Sequence, residues 1–208
     1  MNKANIMEFS FGQGPVKGCL TYFEEVPTPP LPMELCLRDQ VAQENFSHPS
    51  SLKSFYSARY AAAQIVDPKT IIYEGQRPML NNGKHLSLSH THGWGAAVTG
   101  QMAVGVDIEL ERPKISVVAP KFVNEYEKTW VNPETTLHAH VIWGAKESIF
   151  KMYALGGVDF KAHINVLGPP SGHDGAFEAK FVKSGEEFSA QMYYQKIEDI
   201  HVVFGFRI

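Results

Sequence analysis

The sequence predicts an α+β fold on three observations. Stretches with helical spacing occur in both halves of the chain, strand-like runs fall before, between and after them, and their order is mixed rather than strictly alternating. With 208 residues, of which 44% are hydrophobic and 12% aromatic, the chain can build a packed core and is not of disordered composition. One domain of ordinary size, or two small similar ones, matches that length.

Taken in order, a first strand is expected near Cys19 to Glu24. The cluster Pro27, Thr28, Pro29, Pro30, Leu31, Pro32 follows it, lacks the donors of a strand ladder and reads as an extended connector. Ser50 to Val66 has helical spacing, with Leu52, Phe55, Tyr56, Ala63 and Val66 on one stripe, and His48-Pro49-Ser50 is a plausible start. Leu86 to Val98 mixes small, apolar and hydroxyl residues, Val104 to Leu110 is a short run with β-branched residues, and Gly100-Gln101 between them reads as a turn between two strands. Helices are expected over Val117 to Thr129 and, more strongly, Leu137 to Leu155. In the tail, Phe177, Ala179 and Phe181, and then Val202, Phe204 and Phe206, alternate as half-buried antiparallel strands should, with Gly168-Pro169-Pro170-Ser171-Gly172 as a break. No residue-level internal repeat is visible.

Nineteen Lys plus Arg against 22 Asp plus Glu leave a formal charge of −3, which excludes a globally basic nucleic-acid binder and makes any anion site local. Cys19 and Cys36 are too few for a disulfide framework and lack zinc-site spacing, so both are expected as reduced thiols. Met1 to Phe11 lacks the apolar core of a signal peptide, and no stretch reaches the roughly 20 apolar residues of a membrane span. A cytoplasmic protein without membrane association is the expectation.

Gly105-Val106-Asp107-Ile108-Glu109 is the most informative run. In a strand, Asp107 and Glu109 point to one face while Val106 and Ile108 face the core. Two convergent carboxylates repel each other, and an oxygen-seeking cation such as Mg²⁺ would relieve that repulsion. Taken alone, the pair is a weak signal and reads more readily as a solvent-facing strand edge. On the helix expected over Leu137 to Leu155, Trp143, Glu147 and Lys151 stand four residues apart and share a face, placing acid and base within reach of one anionic ligand or leaving them as an exposed ion pair.

Arg59 interrupts the apolar stripe of the first helix. Its guanidinium either snorkels outward, which the pattern favours, or turns to a phosphate. Arg77, in Gly75-Gln76-Arg77-Pro78, is a further cation in turn-like sequence. Ser89 and His90 offer a hydroxyl and an imidazole that can bond phosphate oxygens. Histidines two apart, His90 with His92, lack a third soft ligand for a transition metal.

Together these motifs resemble the 4′-phosphopantetheinyl transferase superfamily, specifically its longer bacterial, surfactin-synthetase-activating type. Gly-Val-Asp-Ile-Glu at 105 to 109 and Trp-x-x-Lys-Glu-Ser-x-x-Lys at 143 to 151 match the two signatures in order and separation. Arg77-Pro78 ahead of Leu88-Ser89-His90, and Arg59 on the first helix, match weaker ones. The resemblance runs from about His48 to Leu155 and is thin outside it. Ser87 and Thr91 stand where the family often has Asn and Ser, and Gln76-Arg77-Pro78 replaces the usual Gly-Lys-Pro.

The resemblance implies a pseudo-dimer of two similar α+β halves, each a small antiparallel sheet packed on helices, with the active site in the cleft between them. The N-terminal half, 1–103, would hold the nucleotide side of coenzyme A, and the C-terminal half, 104–208, the metal and the catalytic helix. The implied reaction moves 4′-phosphopantetheine from coenzyme A to a serine of an apo acyl or peptidyl carrier protein and releases adenosine 3′,5′-bisphosphate. Asp107, Glu109 and Glu147 would hold Mg²⁺, Lys151 would sit on the pyrophosphate, and Glu147, or a water it orients, would accept the serine proton. Arg59, Arg77, Ser89 and His90 would hold the 3′-phosphate and adenosine, with Lys146 assisting nearby. A monomer is expected, and Lys114, Lys121 and Lys128 are candidates for docking an acidic carrier. The competing readings are a catalytically silent coenzyme A binder and a metal-dependent phosphohydrolase.

Overall fold

A computed structural model describes residues 6–29, 31–172 and 175–208. Residues 1–5 of the N-terminal stretch and Pro30 of the proline connector therefore lie outside the described residues. The chain forms two compact units, Met1–Met102 and Ala103–Ile208.

The first unit contains β1 (Ile6–Phe11), β2 (Lys17–Phe23), α1 (Leu37–Ala42), α2 (Pro49–Ala63), β3 (Ile71–Glu74), β4 (Arg77–Leu80), β5 (His85–Thr91) and β6 (Trp94–Gly100). Its antiparallel sheet runs β1-β2-β6-β5-β4-β3, so the strand expected at Cys19 is β2, with an unanticipated β1 beside it. Helix α2 starts at Pro49, where a missing N–H costs nothing, and ends at Ala63, short of Val66. Of the predicted stripe only Phe55 and Tyr56 are buried. The rest of the buried face is small, made of Ser54, Ser57, Ala58, Ala61 and Ala62. The reason is close approach to the sheet: a Cβ on Gly95 would stand 2.0 Å from the Ala58 nitrogen, and Thr21 Oγ1 donates to Ser57 O at 2.7 Å. The hairpin of this region is closed by His92 and Gly93, both left-handed at φ 45° and 88°, between β5 and β6. Gly100-Gln101 closes no hairpin, because β6 pairs with β2 and β5 while the following strand belongs to the other sheet.

The second unit contains β7 (Val104–Leu110), α3 (Ile115–Val118), α4 (Leu137–Tyr153), α5 (Phe160–His163), β8 (Ile164–Val166), β9 (Ala176–Lys183), β10 (Glu186–Ile197) and β11 (Ile200–Arg207). The sheet order is β7-β11-β10-β9-β8, again antiparallel. The helix expected over Val117 to Thr129 is instead the short α3 and two 3₁₀ turns, Ala119–Lys121 and Glu127–Thr129. Pro120 lacks the donor to extend α3. Asn124 and Glu127 then exchange side-chain and backbone bonds at 2.8 and 2.9 Å in the manner of a capping box, which starts a new turn. Helix α4 ends where Ala154 turns left-handed at φ 64°. β9 alternates as predicted, with Phe177, Ala179 and Phe181 buried. β11 does not: His201, Val203 and Gly205 are buried together with Val202 and Phe204, because β11 lies inside the sheet and α4 covers the face that carries Val203.

Both cysteines are free and buried. Among the described residues no helix is long and apolar enough to cross a membrane.

Candidate active site

The period of two along β7 places Gly105, Asp107 and Glu109 on the face that meets α4, and Val106 and Ile108, both fully buried, on the other. Gly105 sets the distance between the elements, because a Cβ there would lie 2.1 Å from the Ser148 carbonyl oxygen. On the other partner strand, Gly144 of α4 packs on Val203, and Ser148 Oγ donates to Val203 O at 3.0 Å. Small residues thus bring helix and strands close enough for polar side chains to meet across them.

Those side chains are Asp107 and Glu109 of β7 and Trp143 and Lys151 of α4. Lys151 Nζ donates to Asp107 Oδ1 at 2.9 Å and to Val106 O at 2.7 Å. Glu109 accepts from Trp143 Nε1 at 3.2 Å and from the Arg112 guanidinium. Glu147 lies one turn from both Trp143 and Lys151. Burial lifts its carboxyl above the usual range and the Asp107 and Glu109 charges add to that, while Lys151 opposes it. Glu109 is likewise raised by burial and then by Asp107, against Arg112 and the Trp143 N–H. The three acids therefore share one repulsive field, relieved in part by two cations.

Three hard carboxylate donors suit an oxygen-seeking divalent ion in kind. In arrangement, Lys151 and Arg112 stand beside Asp107 and Glu109, and among the described residues no group of three or more His, Cys, Asp or Glu is placed to hold a metal. The donor set fits such an ion by its chemistry.

Lys146 has a different place from the one the resemblance implied. It is fully buried, and its ammonium donates to Phe122 O at 2.7 Å, Glu127 Oε2 at 2.8 Å and Phe160 O at 2.8 Å. An ammonium has three protons, so none remains for a coenzyme phosphate. Burial depresses its pKa, against the opposing Glu127 charge.

In the first unit, Arg59 neither snorkels nor lies open. Its Nη2 donates to Asp39 Oδ1 at 2.9 Å and to Tyr73 Oη at 3.2 Å, and the guanidinium covers the Phe55 ring 3.9 Å from its centroid. The outward path is the less favourable one here because α1 brings a nearly inaccessible carboxylate, Asp39, to the helix flank. Arg77 opens β4 after the Gly75-Gln76 turn, and its Nη2 stands 3.1 Å from His85 Nδ1. Ser89 is buried and His90 exposed, as consecutive residues of β5 facing opposite ways.

The sequence reading missed Arg112, Asp39, Tyr73 and Glu127. Arg112, three residues after Glu109, could have been found as a nearby counter-charge. Asp39, Tyr73 and Glu127 carry no local signal of their long-range partners, which lie 14 to 39 residues away, although Glu127 does share a local i,i+3 exchange with Asn124.

Residues 103–204 match the family model for the 4′-phosphopantetheinyl transferase superfamily. The match contains both the 105–109 and the 143–151 segments and does not extend to Arg59, Arg77, Ser89 or His90. No curated protein matches the chain.

Proposed function

We propose that this protein transfers 4′-phosphopantetheine from coenzyme A to the serine of an apo acyl or peptidyl carrier protein. The observation that carries the reading is the Lys151–Asp107 pair between α4 and β7, with Glu109 and Glu147 in the same electrostatic neighbourhood, within the segment that matches the transferase superfamily. The match supports a phosphopantetheinyl transferase role in general, and the chemistry of the side chains supports the rest.

In this reading the serine hydroxyl attacks the phosphorus on the pantetheine side of the pyrophosphate. A serine O–P bond forms, the bridging P–O bond breaks, and adenosine 3′,5′-bisphosphate leaves with the bridging oxygen. Glu147 receives the serine proton, directly or through water; burial and neighbouring acids give it the raised affinity such a base needs. Lys151 supplies fixed positive charge to the phosphate oxygens, which suits a reaction catalysed mainly by positioning and electrostatics. Asp107, Glu109 and Glu147 would hold Mg²⁺, which when bound supplies neutralising charge for the diphosphate. Ligation would require Asp107 and Glu109 to exchange part of their bonding to Lys151 and Arg112.

The two units would be paired halves of one duplicated architecture, divided near residues 103 and 104. Each packs one long helix, α2 or α4, on an antiparallel sheet through a strand glycine, Gly95 or Gly105. Arg77 and His90 of the N-terminal half would serve the nucleotide, and Arg59 would do so only by sharing its guanidinium with Asp39. A cytoplasmic monomer is the accompanying proposal.

The test is incubation with fluorescently labelled coenzyme A, Mg²⁺ and an apo carrier protein. Label on the carrier supports the transferase. Label released without carrier supports a phosphohydrolase, and coenzyme retained intact supports a silent binder.

A further inference from the structure

Trp143 and Lys151 reach β7, with Glu147 between them on the same stripe, only if α4 is held at one rotation about its axis. At about 100° per residue, Lys146 and Ser148 flank that stripe on opposite sides of the helix. Ser148 holds one side through Val203 O. The other side is held by Lys146, whose partners belong to three segments outside the helix: Phe122, Glu127 and Phe160. Glu127 is itself fully buried, and it also accepts from Asn124 N at 2.8 Å and from Val166 N at 2.9 Å, at the end of β8.

We propose that the buried Lys146–Glu127 pair is a positioning device that locks the rotation of α4, so that Glu147 and Lys151 address Asp107 and Glu109. An apolar contact tolerates a small slip of one helix past its neighbours. A buried ammonium with each proton on a separate acceptor does not, because any turn of α4 strands a charge away from water. Lys146 directly precedes Glu147 in the chain, so its anchor acts on the residue that handles the proton. The kinetic part of the inference rests on the transferase reading; the structural part does not.

The experiment compares the full-length protein with the double variant Lys146→Met/Glu127→Gln, which removes both charges and keeps one of the two oxygens that accept from Asn124 N and Val166 N. In the carrier-labelling assay kcat should fall on the order of 10- to 100-fold, as expected for a misplacement of about an ångström. The coenzyme KM should stay within about twofold, as for a group acting on the reaction rather than on binding. Unchanged kcat in a folded double variant overturns the proposal, as does a parallel loss in kcat and coenzyme affinity. Asn124→Ala carries the same test if the double variant does not fold. It releases the turn that orients Glu127 while leaving both charges, and should lower kcat less with the same unchanged KM; an unchanged kcat there counts against the lock. If the wild type transfers nothing, the transferase reading fails, and a crystal structure of whichever variant folds decides the inference alone. Loss of the Lys151–Asp107 contact supports it, and a retained contact overturns it.

Discussion

Lys151 Nζ stands 2.9 Å from Asp107 Oδ1, joining the third turn-position of an α4 stripe to the middle of β7. The pair is three-quarters or more buried on both sides, with side-chain exposures of 25% and 8%. Replacing Lys151 with Met should leave Asp107 facing Glu109 and Glu147 without its counter-charge. We expect kcat for carrier labelling to fall by roughly 10²-fold, the range for loss of one preorganised electrostatic donor. Steady-state kinetics with labelled coenzyme A checks this, and a variant with wild-type kcat would remove Lys151 from the reaction.

Glu147→Gln should lower kcat far more than it weakens coenzyme binding, because a proton acceptor is needed chiefly during the reaction. Coenzyme affinity measured by calorimetry alongside turnover separates the two. Equal losses in both would contradict the assignment.

Gly105→Ala should destabilise the fold. The new Cβ would sit 2.1 Å from a backbone oxygen of α4, which cannot move aside as a flexible side chain could. Overpacking of this kind costs about 1–3 kcal/mol or more. Urea denaturation of the variant gives the figure directly, and a midpoint equal to wild type would mean that helix and strand are less closely packed than described.

Arg59→Met should cost stability as well as any coenzyme contact. It leaves Asp39, whose side chain is 3% exposed, as an uncompensated buried charge, and breaking such a pair from one side costs about 3–5 kcal/mol. Adding Asp39→Asn to Arg59→Met should recover much of that loss in chemical melts. If the double variant is no better than the single one, the ion pair is not what holds α1 against α2.

Acid sensitivity should trace to His140 and His201, whose rings stack 4.1 Å apart inside the second unit. Burial pushes His201 down to about 4, with the neighbouring His140 adding to the effect, and burial also lowers His140. A histidine whose folded pKa lies below its unfolded value near 6.5 binds protons more readily when unfolded. Stability is therefore intact above about pH 6.5 and falls as pH drops toward 4, by up to ~3 kcal/mol for His201. His201→Asn should flatten that part of the stability curve, and an unchanged pH profile would point to another group.

Much of the site was legible because its signals are local. Asp107 and Glu109 share a face by the two-residue period of a strand, and Trp143, Glu147 and Lys151 share one by helical spacing; the structure keeps both relationships. The helix start written in the chain at Pro49 held, and the second long helix ended at Tyr153, close to the expected Leu155. The expected boundaries failed over Val117 to Thr129, where Pro120 and the Asn124–Glu127 exchange divide an apolar stretch into separate turns.

The roles of Lys146 and Arg59 show the limit. Both sit in motifs that suggest a cation offered to phosphate, yet the structure uses Lys146 to satisfy a buried carboxylate and two carbonyls, and Arg59 to satisfy Asp39. The sequence by itself determined the α+β class, the main helices and strands, and which of these acids and bases share one face of a strand or helix, because periodicity is a property of neighbouring residues. Only the tertiary structure decided which charges are spent on each other inside the protein. A buried ion must find its counter-ion wherever the chain brings one, and that partner leaves no trace in local spacing.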